Sequence, residues 1–130
     1  MVVNRYLLDS DILIEHLRGQ QQARTFIARL RQDGELLLSA ITVAELFAGA
    51  RDAGEQEGID ALLRLTRVIP VDEKIARRGG AIRATYRQSH GTGLADALIA
   101  ASAELNQATF VSFNQRHLPM IANLQIPYER

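Results

Sequence analysis

The sequence predicts an α/β fold: a parallel sheet with helices packed on both faces. Three observations carry this. Short apolar runs recur along the chain, each followed by a longer stretch with helical spacing. Strands separated by helices need crossover connections, which make neighbouring strands parallel and place the helices over the sheet. The run Leu36-Leu37-Leu38 is apolar without alternation, as a strand buried on both faces should be.

The elements follow in order. Residues 5–8 read as the first strand, and Asp9 to Leu17 as a helix ending near Arg18-Gly19. Phe26, Ile27 and Leu30 give residues 21–32 a helical apolar face, stopped by Asp33-Gly34. Glu35 to Ser39 is a buried strand, Thr42 to Arg51 a helix, and Ile59 to Thr66 another. Asp52 to Gly58 looks like a solvated loop between these helices. Arg67 to Val71 is a short strand, and Pro70 marks it as an edge or a strand end. Asp72 to Gln88 is a long helix with Ile75, Gly79, Ile82 and Tyr86 on one face. Residues 94–106 form an almost wholly apolar helix, which should be buried. Thr109 to Ser112 is a strand, Gln115 to Met120 a turn or short helix, and Leu124 to Pro127 a last strand.

Composition narrows the class. A chain of 130 residues fits one domain, residues 1–130, and no repeat, linker or low-complexity tract divides it. Cysteine is absent, which excludes disulfides, thiolate metal sites and Cys nucleophiles. The N-terminus has no signal-like apolar region and no run could span a bilayer, so the chain reads as cytoplasmic, without a membrane partner. Net charge is zero, so bulk charge does not point to nucleic acid. Lys74 is the only lysine among 15 basic residues. Arginine suits bidentate phosphate contacts, but a compositional bias explains the excess more simply. Arg77, Arg78, Arg83 and Arg87 spread around the long helix and read as a solvated face.

Asp9 is the most informative residue. It ends an apolar strand, and in an open parallel sheet the carboxyl ends of strands face the ligand crevice. Asp and Ser are also favoured helix caps, so Asp9 or Ser10 could simply start the next helix. Glu45 has an equally plain reading, because Thr42 and Glu45 have the spacing of a capping box. Its helix nevertheless follows the second strand directly, which brings it to the same sheet edge as Asp9. Asp96 lies in the apolar 94–106 helix, where an ionised carboxylate is costly unless paired or bound to a cation. Ser112, Asn114 and His117 follow the fourth strand and could face a phosphate or a metal-bound water, or could cap a turn. Separate capping roles do not require three acids to share one edge of the sheet. A site for a hard divalent cation does.

With these residues in place, the chain resembles the PIN-domain ribonucleases, most closely the VapC-type toxins of bacterial toxin–antitoxin pairs. Leu8 to Ile14 looks like the family's first acidic motif, Ser39 to Leu46 its second, and Asp96 to Ala103 its third. Val111 to Leu118 falls at the fourth. The resemblance implies a three-layer α/β/α sandwich around a parallel sheet of four or five strands. It implies Mg²⁺, with Mn²⁺ as the other option, bound by the acidic cluster. It also implies endonucleolytic cleavage of RNA, a homodimer, and a VapB-type antitoxin whose C-terminal segment blocks the site.

The expected roles follow. Asp9 and Asp96 hold the metal, Glu45 binds it through water or orients the attacking water, and all three are catalytic. Ser10, Asp11, Ser112, Asn114 and His117 are weaker candidates around them. The family usually has an acid at the position of His117 or, in some members, of Asn114; this chain has neither. His117 could instead contact the scissile phosphate or favour Mn²⁺, since imidazole suits softer ions. Asp11 stands where the family often has Asn, and either restores charge or only orients Ser10. The missing acid also motivates a rival reading, a weakened or inactive PIN domain that binds RNA or an antitoxin. A receiver-like phosphoacceptor would need a lysine after a late strand, and Lys74 is misplaced for that.

Overall fold

The computed structural model describes residues 3–130. In chain order the elements are β1 (Asn4–Leu8), α1 (Ser10–Leu17), α2 (Gln21–Asp33), β2 (Gly34–Ser39), α3 (Ala40–Gly49), α4 (Ala53–Leu63), β3 (Arg67–Ile69), α5 (Glu73–His90), α6 (Leu94–Leu105), β4 (Thr109–Val111) and β5 (Leu124–Gln125). The five strands form one all-parallel sheet in the order β3-β2-β1-β4-β5. Six helices flank it, giving the expected three-layer α/β/α sandwich. Pro70 follows β3, which is an edge strand as proline there requires.

Alternation along the strands divides the core between the two faces. Leu7, Leu37 and Phe110 point to one side and pack with Ile75 and Ile82 of α5 and Ala97 to Ala103 of α6. Leu8, Leu36, Leu38 and Val111 point to the other and pack with Ile12, Leu13, Phe26, Ile27, Leu30, Ile59 and Leu62 from α1, α2 and α4. Helix α3 serves both sides, with Leu46 in the second cluster and Ile41 against the first.

Sheet order sets where a ligand would sit. The chain winds outward from β1 through β2 to β3, then returns through α5 and α6 to place β4 beside β1. Strand order therefore reverses between β1 and β4, and the carboxyl ends of these two strands border the crevice. Register holds them closely: Leu8 pairs with Val111, and Asp9 N donates to Val111 O at 2.9 Å.

Helix starts follow side-chain chemistry. Asp9, Ser39, Asp52 and Asp72 each cap the helix that follows by accepting from an early backbone N–H. Two expectations are corrected here. The cap of α3 is Ser39, whose Oγ accepts from Ile41 N, so Thr42 and Glu45 lie inside the helix and form no capping box. Asp52 to Gly58 is no loop but the opening of α4, where Asp52 Oδ1 accepts from Glu55 N at 2.9 Å. Gln115 to Met120 makes turns rather than a helix.

Helix α6 is buried only through its middle; Leu94 and Leu105 at its ends are 51% and 43% exposed. Gly79 lets α5 approach it. A Cβ there would stand 2.6 Å from Leu98 Cδ2, closer than real packing contacts, and 3.1 Å from Leu98 Cα, tighter than most. Gly34 serves β2 similarly, since a Cβ would fall 2.3 Å from Asn4 O on β1. Among the described residues, no helix is long and apolar enough to cross a membrane.

Candidate active site

Asp9 leaves β1 and starts α1, and its carboxylate is bound on both sides. Oδ1 accepts from Ser10 N at 2.8 Å and Oδ2 from Ser112 Oγ at 2.7 Å. The residue is 7% exposed. Burial, then the neighbouring Asp11 charge, raises its pKa to about 6; the bonds from Ser112 and Ser10 oppose the shift, and Asp96 adds to it. Asp9 thus serves as both helix cap and buried acid.

Asp11 is more closely involved than the sequence indicates. Its Oδ2 accepts from Phe113 N at 2.9 Å and lies 3.1 Å from Ser112 Oγ, while Oδ1 accepts from Ile12 N. Its partners are on the segment after β4, so it does not act merely to orient Ser10. Ser112 is fully buried and has one hydroxyl proton for two carboxylates. Its oxygen also accepts from Asn114 N at 2.9 Å.

Asp96 is the third residue of α6, behind the N-cap Gly93, which makes no side-chain capping bond. It is half-buried, and burial raises its pKa; His117 lowers it and Asp11 raises it. Glu45 is raised by desolvation first and by Asp96 second. The residue as a whole is exposed. Glu45 lines a groove of about 510 Å³ between α1, α3 and α4, together with Ile14, Leu17, Arg18, Leu46 and Ile59.

Asn114 and His117 form the turn after β4. Asn114 Oδ1 accepts from His117 N at 3.4 Å. His117 is held on two sides, by the end of α5 and the loop after it: its Nδ1 lies 2.5 Å from His90 O, and its carbonyl accepts from the buried Thr92 hydroxyl at 2.7 Å. A carbonyl only accepts, so Nδ1 carries the proton and neutral His117 keeps its lone pair on Nε2.

The fold therefore brings Asp9, Asp11 and Asp96 into mutual electrostatic range, with Ser112 bonded to Asp9 and Asp11, and Glu45 and His117 each within range of Asp96. Ser10 begins α1 next to them, but its hydroxyl makes no hydrogen bond among the described residues. None of the four acids has a basic partner within ion-pair distance among the described residues, unlike Glu15, Glu35, Glu55, Glu73 and Glu104. Nor, among the described residues, do any three His, Asp or Glu side chains form a ready-made metal cage. The donor set still fits a hard divalent cation. It is all oxygen, its acids have no ion-pair partner among the described residues, and Mg²⁺ binds through one or two carboxylates with water completing its shell. The sequence did not reveal the Phe113 N–H or Thr92; backbone donors and buried hydroxyls carry no local signal.

Comparison with known proteins places this arrangement. The PIN domain model matches residues 6–123, and the chain belongs to the PIN-domain family. It is 43% identical over 123 residues to Ribonuclease VapC10 of Mycobacterium tuberculosis, covering 94% of this chain and 92% of that protein. Ribonuclease VapC19 of the same species is 39% identical over 124 residues, covering 94% and 98%. Among solved structures, a toxin–antitoxin complex from Klebsiella pneumoniae contains a chain that matches with a TM-score of 0.81 at 27% identity, over 96% of this chain and 99% of that one.

Proposed function

We propose that this protein is a divalent-metal-dependent endoribonuclease and the toxin of a toxin–antitoxin pair. One observation carries the reading: Asp9, Asp11 and Asp96 lie within electrostatic range of one another near the β1/β4 switch point, with Glu45 in range of Asp96, and none of them is ion-paired among the described residues. Relatives named ribonucleases, and a structural neighbour described as a toxin–antitoxin complex, support it. The partners that go with this reading are RNA, a VapB-type antitoxin and a second copy of the chain in a homodimer, all in the cytoplasm.

Asp9 and Asp96 would hold Mg²⁺ or Mn²⁺, with Asp11 supplying charge that the family usually takes from a fourth acid. When bound, the cation neutralises charge on the phosphate and acidifies water. The remaining work falls to the chain. Ser112 fixes Asp9 and Asp11 in register. Glu45, at the groove and with a raised pKa, accepts a proton from the attacking water. The N-termini of α1 and α6 place positive dipole ends at the same edge, where they favour an anionic phosphate. Asn114 and His117 border the site from the β4 side.

Cleavage of RNA in Mg²⁺ or Mn²⁺, compared between wild type and Asp9→Asn, tests the reading. Equal cleavage by both, or cleavage that persists in EDTA, would overturn it. The replacement of the usual acid by His117 favours a second reading, an inactive domain that binds RNA or antitoxin. Calorimetry separates the two: that reading predicts no metal binding even with RNA present.

A further inference from the structure

The segment after β5 ends against the acidic site. Pro127 is buried, and Tyr128 and Arg130 converge on Glu15, one turn beyond Asp11 on α1. Tyr128 OH donates to Glu15 Oε1 at 3.2 Å, and an Arg130 guanidinium nitrogen donates to Oε2 at 2.8 Å. Both side chains also enclose Phe113. The Tyr128 ring meets it edge-on with centroids 5.2 Å apart, and the Arg130 guanidinium lies 3.9 Å over its face. Tyr128 continues edge-on to Phe26 of α2 at 6.3 Å, which ties the segment to the core. Phe113 is the residue whose backbone N–H donates to Asp11 Oδ2.

We propose that Tyr128 and Arg130 are positioning residues of the active site: they clamp Phe113 against α1 and so hold the Phe113 N–H on Asp11. The geometry explains why an arginine is used here. A planar guanidinium can lie flat on an aromatic ring while its edge pairs with a carboxylate, and an ammonium cannot do both. With the clamp closed, Asp11 has a donor of its own, which leaves the Ser112 proton to Asp9. With it open, Phe113 rotates away and both carboxylates compete for Ser112. The device acts through Phe113 on Asp11 and makes no contact with RNA.

The role assigned to Asp11 rests on the proposed function, but the clamp can be tested without it. Amide hydrogen exchange of the purified full chain reports the Phe113 N–H directly. In Arg130→Ala the Phe113 amide should exchange about tenfold faster while the core amide of Leu37 stays unchanged, the signature of a local opening. Tyr128→Phe keeps the ring and loses the hydroxyl, so it should show a smaller effect in the same place. An unchanged Phe113 amide, or equal acceleration at Leu37, overturns the proposal. In an RNA-cleavage assay, Arg130→Ala should lower kcat and leave KM unchanged. A raised KM at constant kcat would overturn it, by showing that Arg130 contacts the substrate. If wild type cleaves no RNA, the proposed function fails and the exchange measurement still decides the clamp.

Discussion

The Ser112 hydroxyl lies 2.7 Å from Asp9 Oδ2, in a buried hydrogen bond between residues 103 positions apart. The same oxygen is 3.1 Å from Asp11 Oδ2, so one proton links two carboxylates and joins the end of β1 to the end of β4. Ser112→Ala should leave Asp9 Oδ2 short of a donor, while Asp11 keeps the Phe113 N–H. A lost outer-shell partner of this kind typically lowers metal affinity or activity about 10- to 100-fold. Mn²⁺ titration and RNA cleavage of the variant check this, and unchanged values would mean that Ser112 only packs.

Asp9 makes a separate prediction about stability. Its pKa, raised from 3.8 to about 6 by burial and by the Asp11 and Asp96 charges, corresponds to about 3 kcal/mol of destabilisation at neutral pH without a cation. Asp9→Asn can keep the Ser10 bond through its carbonyl and donate to Ser112 through its amide. The variant should therefore be inactive yet more stable, with Tm in EDTA higher by roughly 3–6 °C per kcal/mol gained. Thermal melts check it, and a lower Tm for the variant would show that the carboxylate is not strained.

The pH dependence has a definite sign. Folded protein binds the Asp9 proton more tightly than the unfolded chain does. Between about pH 4 and about pH 6 this group therefore makes the fold less stable as pH rises, and the penalty is complete above that window. Other carboxylates act in the opposite direction: pairing with Arg67 holds Glu35 below its usual range, and Arg51 does the same for Glu55. The difference between wild type and Asp9→Asn isolates the Asp9 contribution. Urea unfolding across this range in EDTA should show that difference widening as pH rises, and saturating Mn²⁺ at neutral pH should shrink it.

Gly79→Ala probes the α5/α6 contact. The new methyl meets Leu98 at backbone as well as side chain, so α6 must shift, at about 1–3 kcal/mol. Helix α6 carries Asp96, so cleavage should fall beyond what lost stability explains. Gly80→Ala is the control, because a Cβ at Gly80 meets nothing within 4 Å.

Thr42 Oγ1 is buried with no hydrogen-bond partner among the described residues. Thr42→Val removes an orphaned hydroxyl at nearly constant shape and should stabilise the fold by up to about 1 kcal/mol. A Thr42 serving as helix cap would have given a loss instead, so urea unfolding of this variant also tests the assignment of Ser39 as the cap.

Strands and most helices were legible because apolar runs and their spacing are local properties, and so was the place of Asp9 at the end of β1. Where local signals competed, the sequence misled. Ser39 both ends β2 and caps α3, so the helix starts earlier than Thr42 and the apparent capping box lies one turn inside it. Gly54 and Gly58 disguised the opening of α4, although Asp52 and Glu55 carry a genuine capping spacing. The partners of Asp11, and the meeting of Glu15 with Tyr128 and Arg130, were invisible because they join residues about 100 positions apart.

The placement of β4 beside β1 has a consequence for the chain during its own synthesis. Asp9, Asp11 and Glu45 are made early, but Ser112, Phe113 and the strand that aligns them with Asp9 come near the end. A nascent or truncated chain ending before residue 109 contains all four acids but lacks β4 and the Ser112 and Phe113 donors that hold Asp9 and Asp11. On the proposed function, a ribonuclease built in this order completes its site only when nearly the whole chain has been made.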